Sequence, residues 1–292
     1  MNAFEGVITA MVTPFADDGS VDLEAARRLA AHLADHGSDG VVVAGTTGES
    51  PTLDDSEKLA LLDAVLEEVG DRISVICGSG SNDTAHSVKL SCEAEKAGAH
   101  GLLVVCPYYN KPNREGLLAH FREVAGSVSA PVIVYNIPSR AVVNISPDLL
   151  EELAQVENIV AVKQANDEEI QPIPGLDLLA GNDGTYLRCL EAGGVGGILV
   201  ASHLVGSRMK EIRELVISGD LEEARRVDDS LRRLYEVLAV TTNPIPIKAA
   251  LQSAGLCSDT MRLPMVPASD QERAAIDGVL DALGIATAEG GS

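Results

Sequence analysis

Residues 132–163 read VIVYNIPSRAVVNISPDLLEELAQVENIVAVK. Two short runs rich in valine and isoleucine, Val132 to Tyr135 and Ile159 to Lys163, bracket an amphipathic segment from Pro147 to Gln155. That is the pattern of a βαβ unit, because two parallel strands need a long crossover, usually a helix, to bring the chain back. The pattern repeats in both directions. Further strands are expected at Val7 to Val12, Gly40 to Ala44, Ile73 to Cys77, Gly101 to Cys106, Leu176 to Ala180 and Gly197 to Val200. Helices are expected at Leu23 to His36, Asp54 to Val69, Thr84 to Ala97, Arg114 to Ala125, Gly184 to Ala192 and Leu204 to Ser218. Asp22 is placed to cap the first helix, Asp54 to cap the second with Glu57 closing a capping box, and Ser146 to cap a helix with Pro147 at its first position. The sixth helical unit, QANDEEIQPIPG, is short and broken by prolines.

Eight strands is the number that closes a barrel, so the expected fold class is α/β, a (β/α)8 TIM barrel. The doubly wound open sheet shares this periodicity and stays open on pattern alone. After Ser218 the pattern becomes wholly helical, with Leu221 to Val240, Pro246 to Gly255 and Asp270 to Leu283. The expected organisation is a barrel over residues 1–220 and a C-terminal helical extension packed on it over 221–292.

Composition bounds the function. A chain of 292 residues, 46% hydrophobic and 23% charged, can bury a sizeable core. Its formal charge of -22 argues against nucleic acid as a partner, since a phosphate backbone is repelled by nearly every face. The N-terminus MNAFEGVITAMVTPF has no basic leader region, and no apolar stretch is long enough to span a bilayer, so the expectation is a cytoplasmic protein without a membrane partner. Cys77, Cys92, Cys106, Cys189 and Cys257 form no CxxC pair and the six histidines no HExxH motif, so reduced structural thiols and no metal are expected.

In a parallel barrel the loops after each strand gather on one face, and the polar outliers of this sequence stand at those strand ends. Lys163 closes the apolar run IVAV. Burial of an ammonium disfavours its charged form and leaves free amine as a nucleophile, which is how a Schiff-base lysine is made. The plainer reading is a lysine that snorkels to water where the chain leaves the sheet. Tyr135 ends VIVY and is either a proton relay or a packing residue whose hydroxyl finds a carbonyl. AGTTGES, Ala44 to Ser50, offers glycines, backbone amides and the hydroxyls of Thr46 and Thr47 to a carboxylate, or is simply a turn into the next helix. It lacks the GK[ST] of a phosphate loop and the GxSxG of a serine hydrolase. Arg140 brings a planar fork suited to a carboxylate, or pairs with a surface acid. Tyr108 and Tyr109 sit on a stiff loop between Pro107 and Pro112, suited to a subunit contact or to closing a pocket.

GVITAMVTPF, AGTTGES, CPYYNKP, VYNIPSR, the lysine in VAVKQ, GGVGGILVAS and TTNPIPIKAAL together resemble the dihydrodipicolinate synthase and N-acetylneuraminate lyase family, from about Gly6 to about Pro264. The resemblance implies a (β/α)8 barrel with three extra C-terminal helices and a pyruvate-dependent lyase of the lysine and diaminopimelate route. It would condense pyruvate with L-aspartate 4-semialdehyde, and would need no cofactor beyond the covalent imine between Lys163 and pyruvate. It implies Lys163 as the imine lysine, Tyr135 as proton relay, Thr46 as the linking hydroxyl and Tyr109 as a tyrosine donated across a dimer interface, in a homo-oligomer that is a dimer or a dimer of dimers. It further implies Thr47 as holder of the pyruvate carboxylate, Arg140 as holder of the semialdehyde carboxylate, and Gly181 and Ile198 as pocket-lining carbonyls. QAND after the lysine and GND at Gly181 to Asp183 depart from the family's usual runs and leave the pocket floor open. Ser50, Asn82 and Tyr108 resemble lysine-contacting residues, whereas Asp55, Lys58 and His86 depart, so inhibition by lysine is expected to be weak or absent. A sister pyruvate aldolase acting on a sugar acid or hydroxy-oxoglutarate, and an inactive barrel with a binding role, are the alternatives.

Overall fold

A computed structural model describes residues 4–287. Its strands are β1 (Gly6–Ala10), β2 (Gly40–Val43), β3 (Ser74–Gly78), β4 (Gly101–Val105), β5 (Val132–Asn136), β6 (Ile159–Gln164), β7 (Asp177–Ala180) and β8 (Gly196–Leu199). They pair in parallel in chain order, and β1 also pairs with β8, with Ile8 opposite Ile198. The sheet is therefore a closed TIM barrel, and the open doubly wound alternative, which needs two free edges, is excluded.

Strand periodicity gives the barrel its two apolar layers. On β5, Ile133 and Tyr135 point inward while Val132 and Val134 pack outward against the helices. On β6, Ala161 faces in and Val162 out, so Lys163 falls on the inner side with Ala161. Ile8, Val42, Ile76, Leu103 and Ile198 complete the interior. Phe4 plugs the N-terminal end: its ring takes the space beside Gly101, where an added Cβ would lie 2.2 Å from Phe4 Cζ.

The helices are α1 (Leu23–Asp35), α2 (Asp55–Val69), α3 (Thr84–Ala97), α4 (Arg114–Gly126), α5 (Pro138–Ala141), α6 (Pro147–Leu153), α7 (Tyr186–Glu191), α8 (Ser202–Ser218), α9 (Leu221–Val237), α10 (Ile245–Ser253) and α11 (Asp270–Ala282). Asp22 accepts the amide of Ala25, and Asp54 with Glu57 forms the expected capping box. Ser146 does not cap α6 through its side chain; its hydroxyl donates instead to Asp148 Oδ1, a local bond that competes with the cap. The sixth crossover holds only a 3₁₀ turn, Asp167–Glu169, because Pro172 and Pro174 lack the amides a helix would need. α5, a single turn after β5, was not expected.

α9 packs on α8, and α10 and α11 pack on each other, with α11 also meeting α9. Among the described residues no helix is long and apolar enough to cross a membrane. Cys77, Cys106 and Cys189 are buried, and burial pushes each thiol up to about 12, which leaves them unreactive near neutral pH.

Candidate active site

A cavity of about 620 Å³ opens at the C-terminal end of the barrel and takes its lining from Thr46, Thr47, Tyr135, Arg140 and Lys163 together with residues of α9 and the segment leading to α10. Segments at the ends of five strands, β2 and β5 to β8, far apart in the chain, thus meet at one place, as the barrel requires. Tyr135 and Lys163 are direct register partners on β5 and β6. Their inward side chains lie together, with Lys163 Nζ 4.2 Å from the centroid of the Tyr135 ring. Lys163 is only 5% exposed, and among the described residues its amine has no hydrogen-bond partner. The amine does not run out to the protein surface; it stands over an aromatic face in the lining of the cavity. Lys248, the other lysine set among apolar residues, is fully buried but bound to Glu49 Oε1 at 2.7 Å, so its nitrogen is committed.

The turn after β2 places the hydroxyls. Thr13 donates to the carbonyl of Gly48 at 2.7 Å, and the amide of Glu49 donates to the carbonyl of Thr46 at 3.2 Å, closing the turn over the site. Ala44 and Glu49 bracket it with φ of 52° and 54°, left-handed values that non-glycine residues adopt at a cost and that gather at functional sites. Thr47 is buried and its hydroxyl accepts from Asn243 Nδ2 at 3.0 Å. Arg140, exposed on α5, donates from Nη2 to the carbonyl of the same Asn243 at 3.1 Å and faces the cavity. Asn243, just before α10, therefore ties together the two residues expected to hold carboxylates. Sequence reasoning passed over it, and the only signal was its place in TTNPIPIK. The hydroxyls of Tyr135 and Thr46 line the same space without being hydrogen-bonded to each other within one chain.

The two departures from the family pattern turn out to touch. Asn182 Nδ2 donates to Asp167 Oδ1 at 2.8 Å, so GND and QAND together build one wall of the cavity. Asp183 accepts the amides of Val200 and Ala201 at 2.9 and 3.0 Å. Burial pushes its carboxyl up, opposed by those two amides and by the charge of Lys163. Gly181 lines the cavity, and an added Cβ there would lie 2.7 Å from that of Ala165 and 2.8 Å from the carbonyl of Gln164. Ile198 does not line it with its side chain, which fills the barrel interior two residues before Val200. A narrower apolar branch of about 230 Å³ leads from Thr46 and Tyr135 past Ser50 and Gly78 to Tyr108. Tyr109 turns away from its own cavity, 87% exposed with φ 73°.

The pattern of the dihydrodipicolinate synthetase family matches residues 3–283. The chain belongs to that family. Among its relatives, the 4-hydroxy-tetrahydrodipicolinate synthase of Moorella thermoacetica is 46% identical over 96% of this chain and 98% of its own. The DHDPS of Cyanidioschyzon merolae, solved with lysine bound, superposes with a TM-score of 0.95 at 39% identity, covering 98% of this chain and 100% of the other. The chloride-inhibited dihydrodipicolinate synthase of Acinetobacter baumannii, complexed with pyruvate, gives 0.93 at 33% identity, over 96% of this chain and 99% of that one. Relatives at 44–46% identity over nearly the full chain carry the activity with them, 4-hydroxy-tetrahydrodipicolinate synthesis, a lyase reaction of lysine biosynthesis.

Proposed function

We propose that the chain condenses pyruvate with L-aspartate 4-semialdehyde through an imine on Lys163. The observation that carries this reading is the unpartnered Lys163 amine 4.2 Å from the Tyr135 ring centroid, in a cavity that also receives Thr47 and Arg140. The amine adds to the keto carbon of pyruvate, and the carbinolamine loses water to give the imine, whose nitrogen acts as an electron sink. A methyl proton then leaves, and the resulting enamine carbon attacks the aldehyde of the semialdehyde. The semialdehyde's own amine then attacks the imine carbon, closing the ring and releasing Lys163. Tyr135 carries protons in these steps, a role typically worth about 10²-fold to 10⁴-fold.

Thr46 links Tyr135 to Tyr109 of a second copy, which fits an exposed tyrosine that its own cavity does not use. The Thr47 turn holds the pyruvate carboxylate, Arg140 the semialdehyde carboxylate, and the carbonyls of Gly181 and Ile198 face the pocket. The assembly proposed is a homo-oligomer built from such dimers, placed in the cytoplasm.

The test is to load the enzyme with pyruvate, offer a panel of aldehydes and follow product. L-Aspartate 4-semialdehyde is expected to be turned over fastest. A preference for sugar aldehydes or glyoxylate would make the chain a sister aldolase, and no borohydride-trapped adduct at all would leave a binding role.

Weak or absent feedback by lysine also follows. Asp55 is already engaged by His86 at 2.7 Å and Lys89 at 3.2 Å, and the buried amine of Lys58 adds a cation nearby. A cationic effector would meet like charge there. Steady-state rates with millimolar lysine should stay near the uninhibited value, and strong inhibition would refute this.

A further inference from the structure

The mechanism leaves one buried charge pair unused. Glu49 ends the turn that carries Thr46 and Thr47, and Lys248 stands on α10, far along the chain. Their side chains are 2% and 0% exposed. Lys248 Nζ donates to Glu49 Oε1 at 2.7 Å and to the carbonyl of Thr260 at 2.6 Å. Glu49 Oε2 accepts the amide of Arg262 at 3.3 Å. The guanidinium of Arg262 continues to Glu57 at the start of α2, at 2.5 and 2.7 Å, and to the carbonyls of Thr52 and Gly19. Phe15 lies beneath both cations, its ring centroid 4.4 Å from Lys248 Nζ and 4.6 Å from Arg262 Cζ.

Stability alone does not account for this pair. Taking two charges out of water is costly, and apolar side chains of similar volume often hold two elements together as well or better. What an ion pair adds is direction, because each hydrogen bond fixes where the carboxylate, and so the backbone behind it, must sit. Glu49 needs that hold. It sits in the left-handed region, φ 54° and ψ 36°, with no glycine freedom, and its amide bonds directly to the carbonyl of Thr46. If Glu49 relaxes, the peptide planes of Thr46 and Thr47 rotate with it.

We infer that Glu49 and Lys248 are a positioning pair for the pyruvate end of the site: α10 grips the carboxylate of Glu49, and Glu49 thereby aims the amides and hydroxyls of Thr46 and Thr47. This rests on the reading that the Thr47 turn holds the pyruvate carboxylate.

The test uses Glu49→Gln, Lys248→Met, the double variant and Thr47→Val, each assayed by steady-state kinetics and by borohydride trapping titrated with pyruvate. In both single variants the KM for pyruvate and the half-saturating concentration for trapping should rise about tenfold, with kcat at saturating pyruvate and KM for the semialdehyde changed less than about threefold, the signature of lost binding without lost chemistry. The double variant should regain thermal stability lost by Lys248→Met, since no unpaired charge is left buried, yet keep the raised pyruvate KM. Folded single variants with pyruvate KM near that of the parent, whatever their Tm, overturn the inference and leave the pair a structural one. Insolubility of all three pair variants overturns it too, because the pair would then serve folding. Thr47→Val keeps the two readings apart. An unchanged pyruvate KM there removes the carboxylate reading itself, while a raised one beside unaffected Glu49 and Lys248 variants removes only the positioning role.

Discussion

Lys163→Ala is expected to lose turnover by on the order of 10⁴-fold or more, the scale on which removal of a covalent nucleophile acts, and to lose every trace of the pyruvate adduct that borohydride traps in the parent. Seven lysines are present in the chain, and burial alone does not single one out, since Lys58, Lys163 and Lys248 are all buried. Availability does. Lys248 is bound to Glu49 and a carbonyl, while Lys163 has no partner among the described residues and opens onto the cavity of about 620 Å³. The substitution shortens one side chain that faces the cavity, so the fold should persist and the loss should be chemical. Intact-mass analysis after borohydride reduction checks this, with peptide mapping to place the adduct. A reduced-pyruvate adduct that survives in Lys163→Ala would sink the imine assignment.

Arg140→Glu should separate the two substrates. Both are anions approaching a chain whose formal charge is -22, so local positive groups must offset a repulsive field. Arg140 is exposed at the cavity edge and held by the carbonyl of Asn243, which aims its guanidinium without neutralising it. Reversing that charge exchanges a charge-assisted hydrogen bond for repulsion. The kcat/KM for the semialdehyde is expected to fall about 10²-fold, close to 3 kcal/mol of transition-state binding. Imine formation with pyruvate, followed by trapping, should change less than about threefold, because Lys163 and the Thr47 turn are left in place. Since Arg140 also leans on Asn243, which donates to Thr47, Arg140→Met serves as a control for lost packing. Equal losses in trapping and in semialdehyde use would show that Arg140 supports the pocket and does not select the second substrate.

Much of this was legible before the tertiary structure. The eight apolar runs fall on the eight strands to within a residue or two, because a strand buried on both faces must be apolar nearly throughout. Helix ends were legible where a side chain caps, as at Asp22 and Asp54, and failed where local chemistry intervened. Ser146 gave its hydroxyl to Asp148, and Pro172 with Pro174 reduced the sixth crossover to one 3₁₀ turn. α5 escaped notice because one turn carries no periodicity to read.

The site divides in the same way. Lys163, Tyr135, Thr46, Thr47 and Arg140 could be nominated one by one, since each is a polar residue at the end of an apolar strand or in the loop after it. Asn243, Asp183 and the Glu49–Lys248 pair could not, because their meaning lies in partners up to 199 residues away and no local pattern records such a contact. By itself the sequence determined which residues must leave water and which chemistry-bearing side chains stand at strand ends, for burial and periodicity are properties of neighbours along the chain. Tertiary structure alone decided that the sheet closes, that Tyr135 and Lys163 face each other across one register pair, and that the C-terminal helices reach back to hold the turn after β2. Those are relations between distant segments, fixed only when the folded chain places one hydrogen-bonding group against another.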